Sequence, residues 1–218
     1  MRKHHPGNPI SPDSKFMQAM SRGCDLLILN LIFLLSCVPI ITVGAAVTAM
    51  YTVCFKFDTD WEEGVVKGFF RAFRSNFRQA TGLWLILLLC GGTALVNILL
   101  FQMLPAPICY GYVLFILLSV IALLTGSYAF PLLSRFSNDN RSTLKNALAL
   151  SIGFFPRSIV IAVVNAFPFV LLATDLYLFL TTGFIWIAIY FSAGAYISSL
   201  LLKPVFARFA PPEESSED

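Results

Sequence analysis

Long apolar stretches alternate with short charged segments along the whole chain. Charged residues gather in residues 1–25, 56–79, 135–157 and 203–218, and the stretches between them carry almost none. A helix needs about 20 apolar residues to cross the hydrocarbon core of a bilayer. The alternation therefore predicts an all-α bundle of membrane-spanning helices joined by polar loops.

Four of the predicted spans are clear. They cover residues 81–104, 110–133, 158–173 and 182–202. The first two carry no charge and are separated by a short turn, and the last two are separated by a turn at Asp175. Each of these stretches is long enough, or nearly long enough, to cross a bilayer as one helix.

A proline and a glycine interrupt the first apolar region, residues 16–57. Pro39 lacks a backbone donor and Gly44 loosens the chain beside it, so we expect the helix to break there. Irregular backbone survives in lipid only where protein buries it or where it lines a cavity. We therefore take Pro39, Thr42 and Gly44 as a candidate functional helix break.

Residues 59–79 show an amphipathic helical pattern, and Thr59 and Glu62 fit a capping box at its start. Apolar side chains recur along one face, and basic side chains recur about 100° around the helix from them. The apolar set is Val66, Phe69, Phe70, Phe73 and Phe77, and the basic set is Lys67, Arg71, Arg74 and Arg78. The pattern predicts an interfacial helix whose rings enter the acyl boundary while its cations reach lipid phosphates. A solvated loop helix and a helix that docks on a partner protein are the alternatives.

The distribution of Lys and Arg predicts the orientation. Basic segments cover residues 67–78, 135–157 and 203–208, whereas the turns at 105–109 and 174–182 contain no Lys or Arg. Because basic loops stay in the cytoplasm, these segments and the C-terminus are predicted to be cytoplasmic in a multi-pass cell-membrane protein. The basic N-terminal tail lies on the same side only if residues 16–57 cross twice. That favours six membrane helices over the five that one kinked crossing would give.

The domain prediction follows from these assignments. Residues 1–15 form a disordered cytoplasmic tail, residues 16–203 form one transmembrane domain, and residues 204–218 form a disordered acidic cytoplasmic tail.

Composition excludes most kinds of chemistry. The chain is 57% hydrophobic and 12% charged, and its net charge of +3 is too small to indicate nucleic-acid binding. No histidine occurs after His5, and the five cysteines show no metal-ligand spacing. We therefore expect no catalytic residue, no cofactor and no metal site.

Mild polar groups remain inside the predicted spans. Asn30, Asn97 and Asn165 are expected to lie in the bundle interior and to form interhelical hydrogen bonds. Small residues recur at helical spacing on the span at 110–133 and on the last span. Such faces let helices pack closely, either within one chain or in a homo-oligomer.

Two motifs resemble those of the YesL-like family of bacterial membrane proteins. The run from Val38 to Ala45, followed by Ala49 and Tyr51, is similar to the family pattern L-P-I-x-T-x-G-A and A-x-Y, with Val38 in place of the commoner Leu. The run from Phe69 to Gln79 is similar to the family pattern F-x-x-A-F-x-x-N-F-x-Q. The resemblance extends over nearly the whole chain. It implies no known activity and no catalytic residues, but it implies an association with carbohydrate uptake systems of the ATP-binding-cassette type.

Two functional hypotheses follow. The first is a non-enzymatic accessory or regulatory protein that binds a transporter permease or a membrane sensor of such an uptake system, and that also contacts membrane lipids. The second is a small permease or channel for a neutral solute, which the helix break and the three asparagines would serve.

Overall fold

The computed structural model describes residues 15–57, 63–101, 112–136 and 139–209, and every regular element within them is helical. The α-helices are α1 Lys15–Ser36, α2 Val43–Lys56, α3 Val65–Phe101, α4 Tyr112–Arg135, α5 Asn140–Gly153, α6 Phe155–Thr174, α7 Leu176–Thr181, α8 Gly183–Ile185 and α9 Phe191–Phe206. A 3₁₀ turn, Ile40–Thr42, precedes α2, and a π-helix, Trp186–Tyr190, precedes α9. The predicted all-α bundle is confirmed.

The protein is a membrane protein by the length and apolarity of its helices. Within the described residues, Val113–Arg135, Phe155–Thr174 and Gly183–Phe206 are each long and apolar enough to cross a bilayer. Their outer faces carry large exposed apolar side chains, such as Leu114 at 66% and Phe184 at 82% exposure. A surface of this kind is stable in lipid and unfavourable in water.

The first apolar region forms two helices rather than one kinked helix. α1 ends at Ser36 and α2 begins at Val43. The 14 residues of α2 span only about 21 Å, which is shorter than the hydrocarbon core of about 30 Å. Ten of these residues are buried, and α2 packs against α1, α3, α4 and α9. α2 is therefore a short central helix that is enclosed by protein.

The interfacial helix predicted over residues 59–79 is not a separate element. Glu63 and Gly64 precede the helix, Gly64 has a φ of 78°, and α3 then runs without a break through 37 residues. The predicted end at residue 79 was wrong, because no proline or turn separates the basic segment from the uncharged segment, and the helix begins at Val65 rather than at residue 59. The capping residues Thr59 and Glu62 lie outside the described residues.

The C-terminal region contains features that the apolar pattern did not predict. Asp175 forms the expected turn, where its Oδ1 accepts a hydrogen bond of 2.9 Å from the Leu178 amide at the start of α7. The last predicted span contains the π-helix within one continuous helix, Gly183–Phe206. α9 then continues past the predicted domain end at residue 203, because Val205 and Phe206 are buried.

Other predictions fall on parts of the chain that the structure does not describe. The N-terminal tail up to residue 14, the turn at 105–109 and residues 210–218 of the acidic tail lie outside the described residues.

Candidate functional site

The helix break is closed by the side chain of Thr42. The Thr42 hydroxyl donates to the Ser36 carbonyl at 2.6 Å and to the Pro39 carbonyl at 2.7 Å. The Ser36 carbonyl lies at the end of α1, where the helix itself supplies no donors, and the Pro39 carbonyl lies in the turn that follows. Thr42 therefore holds the chain in the tight turn that leads into α2.

Gly44 lets α2 approach α3 more closely than any other residue type would allow. It is buried, and a Cβ at this position would lie 2.5 Å from both the Ala80 carbonyl oxygen and the Trp84 Cβ. The Trp84 indole also donates to the Ile40 carbonyl at 2.8 Å. The break is thus fixed against α3 by contact and by a hydrogen bond.

The other side of the break is exposed and apolar. Val38 is 77%, Ile40 is 67% and Ile41 is 58% exposed. Pro39 is exposed between them. The three predicted residues of the break therefore differ, since Gly44 is buried, Thr42 is half-buried and Pro39 faces outward.

The first half of α3 has three distinct faces. Phe69, Ala72 and Ala80 are buried in the core, and the ring of Phe73 stacks on Phe69 at a centroid distance of 6.1 Å. Phe73 is therefore partly a core residue, and it does not belong to an outward face as predicted. The predicted apolar set of α3 divides in this way because neighbouring helices cover only the side that faces the core.

The remaining apolar residues and the basic residues form two adjacent outer faces. Val66 is 48%, Phe70 is 52% and Phe77 is 36% exposed. The predicted basic residues are all exposed beside them: Lys67, Arg71, Arg74 and Arg78. We call these two faces together the aromatic-basic face of α3. Arg71 forms an ion pair of 2.6 Å with Glu63, which stabilises the start of the helix.

Asn30 is fully buried between α1 and the π-helix. Its amide nitrogen donates to the carbonyls of Trp186 at 3.0 Å and Ile187 at 2.7 Å, and its Oδ1 accepts from the Ser192 amide at 3.0 Å. A π-helix leaves local backbone groups without regular partners, and Asn30 supplies them. The predicted interior position of Asn30 is correct, but its partner could not be predicted.

The other two asparagines differ from Asn30. Asn165 of α6 is half-buried and contacts the Tyr51 side chain of α2, which also contacts Ser198 of α9. The Ser198 hydroxyl is buried. The Asn97 side chain lies outside the described part of the structure. Neither Tyr51 nor Ser198 was predicted from the sequence as a polar interior residue.

Within the described residues, no group of three His, Cys, Asp or Glu side chains is placed to hold a metal ion. Most of the described polar side chains of the interior bind one another or the backbone, whereas the Thr81 and Ser198 hydroxyls are buried without a hydrogen bond of ordinary geometry. Their arrangement fits helix association.

A family model described as "Protein of unknown function, DUF624" matches residues 26–98. The matched segment includes the helix break, α2 and the aromatic-basic face of α3. No curated protein matches the chain, and no solved structure matches it. The similarity therefore identifies a region of the chain and assigns no activity to it.

Proposed function

We propose that this chain is a non-enzymatic accessory or regulatory membrane protein that binds the permease of an ATP-binding-cassette carbohydrate uptake system. The resemblance of its two motifs to the YesL-like family suggests the type of system. The observation that carries the proposal is the aromatic-basic face of α3. This face lies on a helix that is too long for the bilayer.

The length of α3 leaves its first half beyond the hydrocarbon core. The helix has 37 residues and is about 55 Å long, whereas the core is about 30 Å thick. The uncharged residues 81–101 are sufficient to cross it. Residues 65–80 then extend about 24 Å farther along the helix axis.

An extended segment with exposed rings favours a partner. Water contact at Phe70, Phe77 and Val66 is unfavourable by about 25 cal/mol per Å² of apolar surface. Aromatic and arginine side chains together are typical of the strongest contacts in protein interfaces. A permease loop that covers the rings would remove them from water. If it also places carboxylates near the basic residues, it would balance their positive charge.

The alternative function, a permease or channel for a neutral solute, has less support. The three hydrogen bonds of the Asn30 amide described above all go to the backbone, so this side chain is not available to a solute. Gly44 packs directly on α3. An open groove with a volume of ≈ 460 Å³ lies on α3 between Leu85 and Val96, but its lining is apolar.

The proposed orientation places the basic segments in the cytoplasm. Its test is the variant in which Lys67, Arg71, Arg74 and Arg78 are all changed to Glu. Because cytoplasmic retention depends on Lys and Arg near the span, this variant is expected to show disturbed insertion or inverted topology in reporter fusions. Changing the four residues to Gln separates the loss of positive charge from the gain of negative charge. Unchanged topology and expression with Glu would contradict the assigned role.

Copurification tests the proposed partner. Wild-type protein solubilised in mild detergent from cells grown on several sugars should retain a transporter permease on at least one of them. The Phe70→Ser/Phe77→Ser variant should lose most of this permease, because it removes the two exposed rings of the aromatic-basic face. Leu89→Ser is the matched control, since Leu89 is 68% exposed on the uncharged half of the same helix. Recovery of the protein alone on every sugar would refute the proposal.

A further inference from the structure

Two arginines converge on one aromatic ring where α5 meets α6. The Arg157 Cζ lies 5.8 Å from the centroid of the Phe154 ring, and the Arg208 Cζ lies 5.9 Å from the same centroid. Arg157 belongs to the first turn of α6, and Arg208 follows the end of α9. The fold therefore brings together two positive charges that are far apart in the sequence. Both guanidinium groups lie within 6 Å of the same ring centroid.

Within the part of the chain that the structure describes, this pair of arginines lacks a carboxylate that would balance its charge. Among the residues described by the structure, no Asp or Glu lies within ion-pair distance of either guanidinium group. Contact with the Phe154 ring attracts each cation, but it does not remove the repulsion between the two. The planar donor groups of arginine are well suited to bind phosphate oxygens. The pair is therefore suited to an anion that contacts both.

The position of the pair indicates that the anion belongs to a lipid. Arg157 lies in the first turn of a helix that is apolar enough to cross the membrane. The first turn of such a helix lies at the depth of the lipid headgroups. Exposed apolar side chains follow it along α6, where Ile159 is 45%, Val160 is 48% and Val163 is 58% exposed. A molecule that binds here would meet positive charge first and an apolar surface directly beyond it.

We propose that Arg157, Arg208 and Phe154 form a binding site for the phosphate of an anionic phospholipid whose acyl chains pack along the exposed apolar residues of α6. The site lies at the corner between α5 and α6, and it does not include the aromatic-basic face of α3. The first turn of α6, which has no side-chain cap, adds a small positive partial charge beside Arg157. The site does not depend on the proposed function.

A lipid titration of the full-length protein in detergent micelles tests the site. Native mass spectrometry would count bound phosphatidylglycerol, with phosphatidylcholine and inorganic phosphate as comparison ligands. Wild-type protein should bind one phosphatidylglycerol in preference to phosphatidylcholine. Arg157→Gln/Arg208→Gln should lower that affinity about tenfold to thirtyfold, because each basic residue contributes separately to the binding of anionic lipid.

Matched variants distinguish the site from general charge attraction. Arg141→Gln/Lys145→Gln removes the same charge from exposed residues of α5 and should leave the affinity close to that of the wild type. An equal loss in both double variants would overturn the proposal. Displacement of the lipid by inorganic phosphate at the same concentration would show a free-anion site and would overturn the assignment to lipid.

A charge-conserving variant keeps the test valid if the Gln variant does not fold. Arg157→Lys/Arg208→Lys retains both charges but loses the planar donor groups, so its affinity should lie between those of the wild type and the Gln variant. Wild-type affinity in the Lys variant would overturn the role of the paired guanidinium groups. Phe154→Leu should weaken binding less than either arginine change, since it removes only the ring that positions them.

Discussion

The contact between α2 and α3 and the contact between α1 and the π-helix join helices in opposite ways. At the first contact, Gly44 brings the two backbones together with almost no side chain between them. At the second, Asn30 connects α1 to the carbonyls of Trp186 and Ile187 and to the Ser192 amide. One contact depends on the absence of volume, and the other depends on the presence of donors and acceptors.

This difference predicts which changes each contact can tolerate. In lipid, helices associate through close packing and interhelical hydrogen bonds, since apolar surface gains little by leaving lipid for protein. A close-packed contact should therefore be sensitive to added volume. A hydrogen-bonded contact should be sensitive to the loss of a polar atom, even when the shape of the side chain is retained.

Gly44→Leu is expected to cause the largest loss of stability. The nearest atoms to its Cβ are the Ala80 carbonyl oxygen and the Trp84 Cβ, and neither lies at the far end of a flexible side chain that could move aside. We expect the free energy of unfolding to fall by about 3 kcal/mol or more. Thermal unfolding in detergent would measure the loss, and Gly44→Ala should already show part of it.

Gly91→Ala is the control for this prediction. Gly91 lies in α3, and a Cβ there would meet no atom within 4 Å. This change should be neutral, or it should stabilise the protein slightly through helix propensity. A similar loss for Gly44→Ala and Gly91→Ala would contradict the close-packing interpretation of the α2–α3 contact.

Asn30→Leu is expected to have the next largest effect. The change keeps a side chain of similar size, but it leaves two carbonyls and one amide at the π-helix without their interhelical partner. At roughly 0.6 to 2 kcal/mol for each hydrogen bond in a membrane, we expect a total loss of about 2 kcal/mol. Asn76→Leu is the matched control, because the Asn76 amide bonds only within its own part of α3. Equal stability of the two variants would show that the Asn30 hydrogen bonds contribute nothing.

The sequence was informative about these contacts to different degrees. The interruption at Pro39 and Gly44 was visible because both residues have unusual backbone properties. The position of Asn30 in the interior followed from the high cost of a polar amide in lipid. The tertiary partners were not visible, since neither Trp84 nor Trp186 carries a local signal for a contact with residues far away in the chain.

The errors have a common physical cause. The sequence pattern gives the period and polarity of a segment, but it does not give the neighbours that cover it. For this reason the aromatic stripe of α3 was predicted as one face, although Phe69 is buried and Phe70 is exposed. The π-helix was missed for a related reason. Its five residues contain no glycine or proline, and the hydrogen bonds from Asn30 that stabilise it come from another helix.

Ser192→Ala provides the finest test of the hydrogen-bonded contact. The Ser192 hydroxyl donates to the Leu26 carbonyl of α1 at 2.8 Å, and its backbone amide continues to bind Asn30 after the change. We expect a loss of only about 0.6 kcal/mol, because the Leu26 carbonyl keeps its place in the α1 helix. Ser119→Ala is the control, since the Ser119 hydroxyl bonds to the Phe115 carbonyl within α4 and its loss should cost less.

If Asn30→Leu and Ser192→Ala act on one connected contact, their combined effect in the double variant should differ from the sum of the single effects. Strict additivity would show that the two residues stabilise α1 independently.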